Sequence, residues 1–148
     1  MEMIARAKSL IRARPEVVFD AFVHPDKMKQ FWFHRTDAGL ESNKAVTWYL
    51  GDSDDAFGFE IYVVDLKPHS LIHVRWDEDQ GPADVRWTLE ETEQNETILT
   101  IEESGFSGTD EEILAQVLDS TGGFNQVIIA AKAFIEHDVA VNVVSDHA

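Results

Sequence analysis

The sequence predicts an α+β fold: a curved antiparallel β-sheet wrapped around a long C-terminal α-helix, with two short helices after the first strand. Three observations carry that prediction. From Val46 to Ile101, apolar residues alternate with polar ones in successive segments separated only by turn residues. Phe124, Val127, Ile128, Ala131, Phe134 and Ile135 then recur at helical spacing, the longest such pattern in the chain. Between the first strand and the sheet, Pro15 and Pro25 punctuate a short helical region.

Glu2 to Ile11 reads as the first strand, with Ile4, Leu10 and Ile11 as its apolar residues and Arg6 and Lys8 between them. Pro15 suits the first position of a helix, where its missing N–H costs nothing. Val17, Val18, Ala21 and Phe22 give that helix an apolar stripe. His24-Pro25 ends it, because the residue before proline is pushed out of the α region. Asp26 to Phe33 reads as a second short helix bearing Met28, Phe31 and Trp32 on one side.

From Lys44 the period changes to two. The inward residues are Val46, Trp48 and Leu50; then Phe57, Phe59, Ile61 and Val63; Ile72, Val74 and Trp76; Val85, Trp87 and Leu89; and Leu99 and Ile101. Turns are expected at Gly51–Asp55, Pro68–Ser70, Asp77–Pro82 and Glu91–Glu96. Strands so closely connected form an antiparallel meander with one apolar and one polar face. Thr109 with Glu112 fits a capping box, so a helix starts there. Ser120-Thr121-Gly122-Gly123 is expected to interrupt or kink it before the long pattern from Phe124 to about His137, and Val139 to Val144 forms a short apolar tail. The meander must bury its apolar face, and the long helix is the element of matching length and chemistry.

The 148 residues suit one domain, spanning 1–148, with a real core. With 12 Lys and Arg against 28 Asp and Glu, the formal charge is −16. That surface repels phosphate backbones and anionic headgroups, so neither nucleic acid nor a membrane surface is an expected partner. The absence of cysteine removes disulfides, thiolate nucleophiles and iron–sulfur clusters. No apolar run approaches the ~20 residues that cross a bilayer. The first residues, Met1 to Arg6, lack a basic stretch followed by an apolar one, so no signal peptide and a cytoplasmic location are expected.

The order of elements resembles the helix-grip superfamily, also called START-like or SRPBCC, of lipid-transfer, birch-pollen-allergen and polyketide-cyclase proteins. Within it, the chain is similar to the branch named after the C-terminal domain of the activator of a heat-shock-protein ATPase. The resemblance is carried by Pro15 to Phe22, Trp32, Pro68 through Ile72 to Trp76, Glu103-Ser104-Gly105-Phe106, and above all Ser120 to Phe124 running on to Lys132–His137. Gly123-Phe124 stands where a Gly-Trp pair often opens the family's last helix. The resemblance implies the helix-grip fold. For function it implies ligand carriage, in some members cyclase or hydrolase activity, and in one branch a co-chaperone contact.

The site expected on these grounds is a cavity between sheet and helix that holds a small hydrophobic or amphipathic molecule. Trp32, Trp48, Trp76, Trp87 and Phe124 would wall it, Phe31 to His34 would form its rim, and Ala130, Ala131 and Ala133 would leave the gap by thinning the helix. Tyr62 is a further ligand-binding candidate, although it shares with Tyr49 the phase opposite to the core, which a strand bulge would reverse. Glu103 continues the inward phase of Leu99 and Ile101; desolvated there, its carboxyl would have a raised pKa and serve as acid or base, whereas a strand end also suits a solvated carboxylate. His34 is the other acid–base candidate, and Asn125 and Gln126 are possible amide contacts. The six histidines form no metal-binding spacing, and Asp52-Ser53-Asp54-Asp55 lacks the glycine and glutamate of a calcium loop. Gly105-Phe106-Ser107-Gly108 is no nucleophile elbow, and phosphate and dinucleotide fingerprints are absent. No cofactor or metal is therefore expected. The leading expectation is a ligand-binding module, the second an enzyme using Glu103 or His34, the third a chaperone-partner protein. The polar outer phase of the strands suits a monomer or weak homodimer.

Overall fold

A computed structural model of the chain describes residues 2–50, 57–76, 82–144 and 146. The turns expected at Gly51–Asp55 and over most of Asp77–Pro82, the Asp52–Asp55 run and His147 lie outside them. The described elements are β1 (Ala5–Ile11), α1 (Pro15–Val23), α2 (Pro25–Met28), β2 (Arg35–Thr36), β3 (Ala45–Tyr49), β4 (Gly58–Lys67), β5 (Leu71–Trp76), β6 (Ala83–Glu91), β7 (Thr97–Ser104) and α3 (Asp110–His137). Every strand pairs antiparallel, in the order β1-β7-β6-β5-β4-β3-β2. This is the α+β helix-grip architecture the sequence predicts. Among the described residues, no helix is long and apolar enough to cross a membrane.

The period-two pattern sets the inner face. Val46, Trp48, Ile61, Val63, Ile72, Val74, Val85, Trp87, Leu99 and Ile101 are all buried. The alternation fails only at strand ends, where Leu50 and Phe57 are exposed, and in β1. There the inward residues are Ala5 and Ala7, and Ile4 is exposed. Their small side chains let α3, which packs chiefly along β1, come close to the strand. Buried Ala130 and Ala131 supply the matching thin stretch on the helix. Ala130 and Ala131 are thus core residues and do not line the cavity between sheet and helix, whereas the sequence suggests that they leave that gap.

Three further expectations change. The second helix stops at Met28 rather than Phe33. Phe31, Trp32 and Phe33 all pack into the aromatic core, against Phe22, Phe134, Trp48 and Phe59 among others, and that packing overrides the local helical pattern. The two-residue strand β2 carries no periodicity and escapes detection. Finally, Ser120–Gly123 does not divide the last helix, because α3 is one 28-residue element. At ~1.5 Å per residue it is about 42 Å long. Its N-terminus is the expected capping box: Thr109 Oγ1 accepts the Glu112 N–H at 3.2 Å and donates to Glu112 Oε1 at 3.1 Å.

The far end of α3 is bolted to β1. Lys132 Nζ donates to the Leu10 carbonyl at 2.7 Å and to Glu136 Oε2 at 2.6 Å. The same carboxylate oxygen accepts the Arg12 N–H at 2.9 Å. With its C-terminus fixed beside the end of β1, α3 points its Gly123–Val127 stretch toward the other end of the sheet, where Ala5 pairs with Glu103.

Candidate functional site

At that end of the sheet the helix and strands border a cavity of about 520 Å³ that opens to solvent. This lies within the ~300–1,000 Å³ typical of small-molecule sites. The sheet contributes Phe59, Trp76 and Glu103, and the segment before β2 contributes Trp32 and Phe33. The helix contributes Asp119, Ser120, Gly123, Phe124, Gln126 and Val127. Leu50 and Phe57 border it on one side, and Val143 and Val144 of the C-terminal tail on another. Phe57 is 68% exposed, which marks a side where the cavity reaches solvent.

Trp76 is the hub. Its register partner on β6 is Ala83, a residue small enough to leave the indole room to lie across that strand. The indole N–H donates to Glu103 Oε2 on β7 at 3.1 Å. Phe124 of the helix stacks on the indole, with centroids 6.1 Å apart and planes 16° from parallel. Phe59 meets it edge-on at 5.9 Å. Behind this layer, Trp48 contacts Trp76, Phe33 and Trp32 at 6.5, 4.7 and 5.0 Å. Such a ring network fixes rotamers and gives the cavity a rigid wall.

Glu103 is the buried carboxylate of the site, 4% exposed. Its inward phase is the one the sequence indicates, and the solvated alternative does not hold. Among the described residues lining the cavity, the charged side chains are Glu103 and Asp119, and no Lys, Arg or His borders it. The other clustered charges lie elsewhere. On the outer face of the sheet, Asp84 Oδ1 bonds His73 Nε2 at 2.8 Å and Arg75 at 3.2 and 3.3 Å. Burial pushes the Asp84 carboxyl up, but His73 and Arg75 together hold it below its ordinary range. Glu136 is likewise held low: burial raises it, and the Arg12 N–H, Lys132 and the Arg12 charge outweigh that. Among the described residues, no group of three or more His, Asp or Glu is placed to hold a metal.

Of the residues singled out from the sequence, Trp32, Trp76, Phe124, Glu103 and Gln126 border the cavity. Trp48 and Trp87 do not; both are buried in the layer behind it, packed against neighbouring rings. Phe31 is also core, stacked on Phe134 at 5.9 Å and meeting Phe22 edge-on. Tyr62 lies on the outer face with its hydroxyl 3.5 Å from Asn43 Oδ1, since the bulge of β4 falls after it, between Val63 and Asp65. His34 is half-buried, donates its backbone N–H to the Tyr49 carbonyl at 3.1 Å and does not border the cavity. Asn125 turns back to the Thr121 carbonyl at 2.8 Å. Phe33 borders the cavity too, as expected of the Phe31–His34 rim, while sequence reasoning missed Phe59, Asp119 and the Val143–Val144 tail as lining. The tail carried the one usable signal, an apolar run with no partner assigned to it.

A family model described as Activator of Hsp90 ATPase homolog 1-like protein matches residues 12–131. No curated protein matches the chain. Among solved structures, protein SSP2350 from Staphylococcus saprophyticus is similar at 27% identity and a TM-score of 0.77, with 94% of this chain and 96% of that one covered. DynU16, a putative protein in the dynemicin biosynthetic locus, has a TM-score of 0.77 at 19% identity, and the match covers 93% of this chain and 48% of DynU16. The Aha1 dimer from Colwellia psychrerythraea has a TM-score of 0.75 at 16% identity, covering 91% of this chain and 97% of that one. The last two likenesses show the fold alone.

Proposed function

The chain belongs to the family of Activator of Hsp90 ATPase homolog 1-like proteins, and on that footing we propose that it binds a small hydrophobic or amphipathic molecule between its sheet and α3. The observation that carries this reading is the cavity of about 520 Å³, walled by Trp32, Phe33, Phe59, Trp76 and Phe124 around one buried carboxylate. Apolar burial would supply affinity at ~25 cal/mol per Å², before association costs are subtracted. Glu103, oriented by the Trp76 N–H, would fix the ligand's polar end.

The test is to close the cavity. Gly123 borders it, and a Cβ added there meets nothing within 4 Å. Gly123→Phe should therefore fold as stably as the parent while filling the mouth. A panel of lipids, sterols and aromatics is titrated against both proteins, followed by calorimetry and melting temperature. Binding by the parent and at least tenfold weaker binding by Gly123→Phe is the expected result. Silence of the whole panel with the parent, or undiminished binding by the variant, would sink the cavity reading.

A second reading, acid–base catalysis on the bound molecule, draws on the same buried Glu103 beside open volume. It requires that Glu103→Gln abolish turnover of a bound compound without abolishing its binding. The chaperone contact expected from the resemblance rests on the family's name alone.

A further inference from the structure

Resting on the cavity-binding reading above, we infer that the segment Val139–Val144 is a movable strap, which lifts as the ligand passes and closes against it once bound. The strap's path is set by the end of α3. Asp138, at φ 55° and ψ 39°, ends the helix in the left-handed conformation, with its N–H on the Phe134 carbonyl at 2.9 Å. Val143 and Val144 nevertheless border the cavity beside Gly123, Phe124 and Val127. From Val127 to His137 the helix advances about 15 Å. The chain from Asp138 to Val143 reaches at most about 18 Å. The tail therefore runs back along α3 with little slack.

At the cavity the tail is held by apolar contact. Val143 packs against the core and is half-buried, as is Val144, whereas Val139 and Val141 are 51% and 38% exposed. Among the described residues, the backbone hydrogen bonds that the tail donates run from Val139 N–H to the Ala133 carbonyl at 3.2 Å and from Asp146 N–H to the Asn142 carbonyl at 2.8 Å. One joins the helix end and the other closes a turn within the tail. Neither ties Ala140–Val144 to the sheet.

The ring wall is built differently. Phe59 and Trp76 stand on strands paired residue by residue with their neighbours, and Phe124 stacks on Trp76. A segment with few buried contacts and no ladder lies at the low end of local stability, where opening costs little. The tail has both properties. A border that opens while the ring wall stays in place gates the exchange of whatever the cavity holds.

The experiment uses the full chain and the neutral fluorophore phenylnaphthylamine as probe. Its release is followed by stopped-flow fluorescence from the parent and from the double variant Val143→Ser, Val144→Ser, which loses the strap's apolar hold. Release from the variant should be about fivefold or more faster. The chain has no cysteine, so a single one introduced at a chosen position reports its own exposure to a thiol reagent. Val143→Cys should react more slowly than Val141→Cys, faster than Val127→Cys, and about fivefold or more slowly again when probe is bound. Release unchanged within about twofold overturns the strap and leaves cavity binding standing. So does a Val143→Cys as inert as Val127→Cys, which makes the tail a fixed wall, or one as reactive as Val141→Cys with or without probe, which means that it never closes. A parent that binds neither this probe nor any compound of the panel removes the strap and cavity binding together.

Discussion

Two glutamates lie beside α3, Glu136 at its C-terminus and Glu103 opposite its middle stretch, and their surroundings differ in kind. Glu136, with its side chain 6% exposed, touches Lys132 at 2.6 Å and the Arg12 N–H at 2.9 Å, and Lys132 in turn holds the Leu10 carbonyl. Glu103, 4% exposed, accepts an indole N–H and borders open volume. The two regions also differ in bulk: α3 buries Ala130 and Ala131 toward its C-terminus, whereas Phe124 stacks on Trp76 beside the cavity. A carboxylate held between a lysine and a strand-end N–H fastens the structure. A buried carboxylate that borders open volume can in addition meet something that enters.

The largest expected effect follows from removing the first acid. Glu136→Ala would leave Lys132 part-buried without its carboxylate and the Arg12 N–H without its acceptor. Breaking such a network by deleting one partner costs roughly 3 kcal/mol. Glu103→Gln keeps an acceptor for the Trp76 N–H and should cost under about 1 kcal/mol. Urea denaturation of both variants checks this. A larger loss at Glu103 than at Glu136 would mean that the functional and fastening roles are assigned to the wrong acids.

Acid should sharpen the same contrast. The Glu136 carboxyl is held below its ordinary value in the folded protein. Over the interval between that lowered value and the usual carboxylate range near pH ~4, the unfolded chain binds more protons than the folded one, so stability rises with pH. The contribution is full above the usual range and is lost as pH falls through the lowered value. Asp84, held low by His73 and Arg75 against the effect of burial, adds a component of the same sign. Protonating the many surface acids relieves repulsion in a chain of charge −16 and acts in the opposite direction. The informative quantity is therefore the difference between parent and Glu136→Gln, measured by melting temperature from pH about 6 down to about 3. That difference should shrink as pH falls. A constant difference would remove the charge of Glu136 from the account.

How much of this was legible beforehand follows the range of the forces involved. Period-two alternation is written residue by residue, and it located the inner face of β3 to β7 and the inward phase of Glu103. What one helix or strand does at long range is not written locally. Trp48 and Trp76 share the same pattern, yet one is core and the other a cavity wall, because only the latter stacks on Phe124 beside the open volume. Tyr62, Phe31 and Trp87 failed to reach the cavity for the same reason: inwardness is local, but adjacency to one volume is global. The Lys132–Glu136 bolt joins residues to the Leu10–Arg12 segment more than a hundred positions away, and no spacing announces it.

The smallest effect tests the one place where local signal and fold disagree. Gly122 and Gly123 sit inside α3, where the sequence suggests a break and the structure shows a continuous helix. A Cβ at Gly122 meets nothing within 4 Å, so no close neighbour demands glycine there. If the helix is continuous, Gly122→Ala should stabilise the protein by about 0.5–1 kcal/mol, through lower entropy of the unfolded chain and better helix propensity. Because Gly122 does not border the cavity, ligand affinity should stay within about twofold of the parent, whereas Gly123→Phe should weaken binding at least about tenfold. A Gly122→Ala variant that melts lower would reveal backbone freedom used at that position. The open end of the molecule would then owe its volume to a hinged helix rather than to the Phe124–Trp76 stack.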